Sequence, residues 1–533
     1  MPSLVQSVDW TALTPVVIPA GLAVVVLVAD LFLPERRKPL LGWVTAAGFL
    51  AAGLTLIPLR DGHRATFCQT PGASCAQTAS YAADHFTLVL QVLVLGGGLL
   101  TALLSVTAGS TDAPVAPQSG RRAQAPAGEY WFLLLSSAAG AALLPASRDL
   151  ITLIVALEVT TLPAFALVAL RRGDRTASEA ALKFFLSSVT ATAVSLLGIS
   201  FVYAATGTVN LSGVAAGLTH APGQLDHLAK VGAALTLVGF AFKLAAAPFH
   251  FWVPETYAGA PLPVAAYLSV VGKAAGFSGL ILVTVIAFRP YHHVWGPALG
   301  VLAALTMTVG NVGALRQSPD AERGAVRLLA WSSIGQAGYL LVPMAAASSA
   351  HDPAHEIGAT VAYALMYGVV NLGAFAVAAL VTRGAPAGRL ADYRGLYAAR
   401  PLAALALGFF LLCLAGLPPG VVGLFAKVVV FSSAVGAQHG WLAVIMAVNV
   451  VIALVYYLRW TALLFTRPGD ADAGSGTAAG AGAGAEPVRP GAAAAVAGTP
   501  FALGAAIALT AVTGLVLSGA PQIVLRYAQG TLL

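Results

Sequence analysis

Residues 151–170 read ITLIVALEVTTLPAFALVAL, an apolar run with a single carboxylate, Glu158, near its middle. A helix rises about 1.5 Å per residue, so a run of this length covers the roughly 30 Å of a bilayer's hydrocarbon. Flanked by Asp149 and Arg171, the segment is a membrane span, and Glu158 lies too deep for its side chain to reach either surface. A charge at that depth costs about 2.5 to 3.5 kcal/mol on the insertion scale, which makes it a functional candidate by default.

The rest of the chain agrees with this solvent. Of 533 residues, 58% are apolar and 9% charged, against roughly 25% charged in soluble domains, and the mean hydropathy is +0.84. A water-soluble enzyme is excluded. The net charge of +7 does not imply nucleic acid, because Lys and Arg punctuate apolar runs and do not gather on a face. Cys68, Cys75 and Cys413 are too scattered for a structural zinc site or an iron-sulfur cluster. No basic residue precedes the first apolar run, so the sequence predicts that this run is a retained span and not a cleaved signal.

Apolar segments separated by charged or Pro/Gly-rich breaks predict an all-α polytopic membrane protein of about 14 spans. They are residues 14–33, 40–59, 85–108, 130–146, 149–170, 179–204, 229–258, 263–287, 295–315, 327–346, 356–381, 401–436, 440–464 and 499–519. Loops after even-numbered spans hold only Arg60, Arg64, Arg148, Lys230 and Arg289, with Arg526 beyond the last span. Those after odd-numbered spans hold most of the remainder, so the positive-inside rule places both termini outside. Residues 60–84 form an outer loop in which Cys68 and Cys75 could pair as a disulfide. Residues 466–498 are an Ala/Gly-rich cytoplasmic tether.

Four more ionisable groups interrupt apolar runs: Lys183, Lys243, Lys273 and Lys427. Burial disfavours the charged form of any amine, so such groups can give and take protons. Lys183 lies near a span end beside Glu179 and could equally anchor there. Arg459, with Tyr456, Tyr457 and Trp460, reads as an aromatic interface belt. Asp30 reads as an edge residue, and Asn371 as a hydrogen-bonding link between helices. For the deep groups the static alternative is a buried ion pair that holds helices together.

Two spans are too long to cross unbroken. Pro248 interrupts 229–258 just after Lys243, and Gly416, Pro418, Pro419 and Gly420 interrupt 401–436 just before Lys427. Irregular backbone at membrane depth is tolerated only where protein or water satisfies it. The broken span is fourth of five in each of two consecutive sets, and an odd number of spans inverts the second set against the first. The predicted organisation is a three-helix segment (1–128), a first repeat (129–287), a second repeat (295–465), the linker 466–498 and a terminal helix (499–533). His250, beside the first break, is a weaker candidate for proton transfer.

The stretches LEVTTLPAFALVALRRGDRTASEAALKFFLSS (157–188), FKLAAAPFHFWVPETYAGAPLPVAAYLSVVGKAAGF (242–277), RLLAWSSIGQAGYLLV (327–342), LADYRGL (390–396) and LAGLPPGVVGLFAKVVVF (414–431) resemble subunit N of the proton-pumping NADH-quinone oxidoreductase, respiratory complex I, within the wider family of antiporter-like subunits. The resemblance covers about residues 85–465. It implies a 14-helix fold of two inverted five-helix repeats with a proton path along a central polar axis. It matches Glu158, Lys183 (paired near Glu158), Lys243, Lys273 and Lys427 to the family's proton-translocating positions. The implied setting is a bacterial cell membrane among other membrane-arm subunits. No cofactor is expected in this chain; NADH, flavin, iron-sulfur clusters and quinone belong to partner subunits. An Mrp-like cation/proton antiporter subunit is the alternative, weakened by the single central carboxylate, since a sodium site wants several oxygen ligands.

Overall fold

The computed structural model describes residues 8–60, 62–68, 78–108, 127–171, 173–220, 222–466 and 499–528. Three helices come first: α1 (Trp10–Phe32), α2 (Pro39–Leu54) and α3 (His85–Ala108). Five positions follow: α4 (Ala127–Leu143), α5 (Leu150–Ala169), α6 (Arg175–Thr206), the broken pair α8 (Gly223–Leu244) and α9 (Trp252–Gly259), and α10 (Leu262–Ala287). A short helix, α7 (Leu211–Thr219), joins α6 to α8. Five more repeat the pattern: α11 (His292–Leu315), α12 (Gly324–Ala347), α13 (Ala354–Thr382), the broken pair α14 (Pro401–Ala415) and α15 (Val421–Gly436), and α16 (Gly440–Phe465). Helices α17 (Phe501–Gly519) and α18 (Gln522–Ala528) complete the described chain.

Both breaks therefore occupy the fourth place of a five-helix run, as the Pro/Gly punctuation requires. Among the described residues, 11 helices are long and apolar enough to cross a membrane. The expected spans 130–146, 327–346 and 401–436 correspond to α4, α12 and the pair α14/α15, which are not among those 11. The expected outer loop 60–84 is not wholly irregular. Strands β1 (Arg64–Cys68) and β2 (Ala79–Ala83) pair antiparallel, with Thr66 opposite Tyr81, a local exception to the all-helical expectation. Cys68 is disulfide-bonded, Cys413 is free and buried, and Cys75 lies outside the described residues, as do nearly all of the tether 466–498 and Arg526's side chain.

The connections sort into two ends. Asp9 pairs with Arg64 at 3.1 Å, Asp84 with Arg148, Tyr81 bridges to Ser147, and Asp149 to Asn210, so the start of α1 and three even-numbered loops share one end. At the other end Arg323 bonds Asp174 at 3.1 Å and the carbonyl of Ala258 at 2.8 Å, and Arg327 meets Glu255 at 3.3 Å. Asp30 meets Lys38 at 3.6 Å, in keeping with an edge position. The alternation read from the basic loops is thus realised as two separate faces.

Without a hydrophobic drive between helices in lipid, close packing of small residues holds them together. Helices α11 and α12 approach so closely that a methyl group on Gly310 would collide with the backbone of Gly335. Gly310→Leu should therefore block this approach and sharply reduce the amount of folded protein in the membrane, measurable by immunoblot. At the polar end, burial alone would raise the Asp174 carboxyl. Hydrogen bonds from Thr176 and the Arg323 guanidinium outweigh it and hold the group below its ordinary value of 3.8. A depressed carboxylate contributes stability above its unfolded value and loses it as pH falls through the folded one. Asp174→Asn should accordingly lower the melting temperature of the extracted protein at pH 7 and leave it unchanged once the pH is well below about 4.

Candidate functional site: buried amines at two helix breaks

Helix α8 ends on Ala245, whose φ of +60° places it in the left-handed region, and α14 ends on Gly416 at +86°. Such a residue closes a helix by turning the chain out of it. In water the freed backbone groups would be solvated; here other side chains serve them. The amide of Ala247 donates to Thr306 Oγ1 on α11 at 2.9 Å, and Trp252 Nε1 donates to the carbonyl of Phe242 at 3.1 Å. In the second break, Lys427 Nζ donates to the carbonyls of Leu414 at 2.9 Å and Ala415 at 2.6 Å.

Lys243 occupies the last turn of α8 and is buried. Its Nζ donates to Ser188 Oγ on α6 at 2.6 Å and lies 3.7 Å from Glu158 Oε1 on α5. The same carboxylate oxygen accepts from Thr192 Oγ1 at 2.7 Å. Opposite charges about 4 Å apart attract by roughly 4 kcal/mol at an effective dielectric of 20, so the charge on either is felt strongly by the other. Three helices meet at this pair, each contributing one or two polar groups.

Lys183 does not join it. The resemblance implied a pairing with Glu158, but Lys183 Nζ bonds Glu179 at 2.7 Å, with the two side chains 51% and 54% exposed. The cause is helical phase: Glu179 and Lys183 are four residues apart and share the outer face of α6, whereas Ser188 and Thr192 share the inner one. His250 lies half-buried in the first break, its ring 5.7 Å from that of Trp331.

Lys273 sits on α10 directly after a π-helical turn, Leu268–Gly272, and its Nζ donates to the backbone carbonyl of Ser333 on α12. Single π turns inside helices recur at functional sites. Nearby, the Ser333 hydroxyl lies beside the phenols of Tyr257 and Tyr367. Among the described residues neither it nor the Tyr257 phenol closes a hydrogen bond of full geometry. Asn371 links α13 to α10 through Ser269 Oγ at 2.7 Å, as the sequence suggested.

The polar residues that surround these amines were largely missed by sequence reading. Gln336 accepts from Tyr363 Oη and donates to Tyr457 Oη at 3.2 Å, while Tyr457 shares a 2.5 Å hydrogen bond with Ser332. Tyr456 donates to Asn311 at 3.0 Å. The interface belt expected around Arg459 is therefore incorrect for its aromatic members: Tyr456, Tyr457 and Trp460 are buried, because the face of α16 that carries them packs inward. A signal was present in the spacing of Tyr363, Tyr367 and Asn371, four residues apart on one helical stripe. Among the described residues no group of His, Cys, Asp and Glu is arranged to hold a metal ion.

A membrane fold with paired breaks and buried amines defines an ion-translocating class, and comparison with known proteins is specific about which. Residues 147–453 match the family described as NADH:quinone oxidoreductase/Mrp antiporter, TM. The chain is 66% identical over its full length to a Streptomyces griseus protein named NADH-quinone oxidoreductase subunit N 2, covering 95% of that relative. It is 45% identical to the Salinispora tropica subunit N, with 87% of this chain and 86% of the relative covered. Among solved structures, a chain of respiratory complex I from Thermus thermophilus superposes with a TM-score of 0.72 at 31% identity, over 97% of this chain and 100% of the other. A chain of the Mrp complex from Dietzia gives 0.77 at 22% identity, covering 97% and 96%, a likeness of fold alone. This chain belongs to the subunit N family of NADH-quinone oxidoreductases, within the antiporter-like membrane proteins.

Proposed function

We propose that this chain translocates protons as a membrane-arm subunit of NADH-quinone oxidoreductase, driven by quinone reduction elsewhere in the complex. The observation that carries the reading is the set of deep ionisable groups itself. Glu158 and Lys243 form a charge pair at the first break, Lys427 serves the second, and Lys273 lies buried between them in the chain. A charge change arriving at Glu158 alters the affinity of Lys243 for its proton, and protons then pass by way of Lys273 to Lys427 and out. The repeats 129–287 and 295–465 each supply one break to this axis. NADH, flavin, iron-sulfur clusters and quinone reside in partner subunits. The setting is a bacterial cell membrane, with the Asp9 end outward because the Arg323 end is the more basic.

Lys183 enters this reading at the surface of the subunit. About 12 Å into α6 at 1.5 Å per residue, its ion pair with Glu179 is exposed among Leu182, Phe185 and Leu186. Charges facing acyl chains at that depth are costly, and Glu158 is itself 21% exposed on the adjoining helix. A neighbouring membrane-arm subunit covers the α5/α6 face and delivers its charge changes there. The Mrp-like alternative would need a set of oxygen ligands for sodium, whereas the central pair offers one carboxylate.

Lys243→Ala should cut proton pumping coupled to NADH oxidation several-fold in membranes in which the complex still assembles, and Glu158→Gln should do so less severely. Normal pumping by the Lys243→Ala complex would overturn the reading. A photo-crosslinking residue at Leu182 or Leu186 should capture another membrane-arm subunit in the purified complex. Labelling of lipid alone would show that the face is uncovered.

A further inference from the structure

The two breaks share a design, yet the amines at them are held differently. At the first, the second helix of the repeat supplies a carboxylate, Glu158. At the second, the corresponding second helix, α12, supplies Tyr339, whose ring centroid lies 5.5 Å from Lys427 Nζ. Among the described residues the amine's hydrogen bonds go to the two carbonyls at the end of α14, and no carboxylate lies within 4.0 Å of it. A small void of about 20 Å³ beside the lysine is bounded by Gln336, Tyr363, Tyr367, Leu414 and Ala426. Gly416 completes the enclosure, since a methyl group there would sit 3.0 Å from Lys427 Cδ.

We propose that Tyr339 is a positioning residue for proton translocation, its ring face taking, for Lys427, the place that Glu158 takes for Lys243. An aromatic face attracts a desolvated ammonium through its quadrupole, within about 6 Å of the centroid. It does so without a charge of its own, so it steadies the protonated lysine and leaves no anion behind when the proton departs. Carbonyl dipoles at the end of a broken helix act in the same sense. Lys427 is then held in a neutral cage from which a proton can leave without separating opposite charges, whereas release from Lys243 must part an ion pair.

The inference rests on the proton-translocating reading, and its test separates the two. In the assembled complex, Lys427→Ala is measured first; normal NADH-driven pumping there overturns both. Phenylalanines bearing increasing numbers of ring fluorines are then placed at position 339. Their shape is nearly constant while the ring's attraction for a cation falls stepwise. Tyr339→Phe should keep pumping close to that of the parent, and each added fluorine should lower it, reaching a several-fold loss. Tyr339→Leu should match the most fluorinated ring. Loss in Lys427→Ala combined with a flat response across the fluorinated series would overturn the role of Tyr339 and leave the broader reading standing.

Discussion

A helix that stops inside hydrocarbon frees amides and carbonyls that no water is obliged to satisfy, and the rest of this structure follows from how those groups are served. Thr306 takes the amide of Ala247, Trp252 serves the carbonyl of Phe242, and the ammonium of Lys427 bridges two carbonyls at the end of α14. Unsatisfied, each group would cost several kcal/mol in lipid. The second break and its lysine are therefore mutually dependent: the carbonyls make the amine tolerable at that depth, and the amine makes the interruption tolerable. This explains why an expensive residue and an expensive backbone feature occur together.

Much of this was legible because both features violate a strong background. A lysine or glutamate inside an apolar run stands out with no knowledge of packing, as does a Pro/Gly cluster in a segment too long to be one span. What was not legible depended on helical phase and on partners far away in sequence. Lys183 and Glu158 lie on consecutive helices, but the phase of α6 turns Lys183 outward and Ser188 inward. Tyr456 and Tyr457 near Arg459 look like an interface belt until the inner face of α16 is known. The strand pair at 64–68 and 79–83 rests on cross-strand pairing within a polar loop, and the π turn before Lys273 leaves no trace in hydrophobic periodicity.

The separation of charge between the interior and the two ends has its own logic. Arginine–carboxylate contacts such as Arg323 with Asp174 lie between loops, where partial hydration limits the cost of ionisation and where they tie one repeat to the other. The interior uses hydroxyls, amides and carbonyls wherever it can, as around Gln336, Tyr363 and Tyr457, because neutral dipoles satisfy one another without Born cost. Among the described residues of the central spans, an anion sits beside a buried lysine at one point, Glu158, and that point adjoins the flank that carries the exposed Glu179–Lys183 pair.

That asymmetry bears on how charge can be a signal across a low-dielectric protein. Two interior ion pairs, one at each break, would neutralise both sites and leave little field for either to sense. With one pair and two amines that lack a counter-ion among the described residues, a proton gained or lost at either amine is an uncompensated change of charge whose influence falls only slowly with distance when water is excluded. On the proposed reading, Glu158 is the element through which an outside charge is felt. On the same reading Lys273 and Lys427, held by carbonyls and, at the second break, by an aromatic face, are the groups that change in response. Two breaks of like architecture, one with a carboxylate beside its lysine and one with an aromatic face instead, are enough in that scheme to distinguish a sensing end from a releasing end.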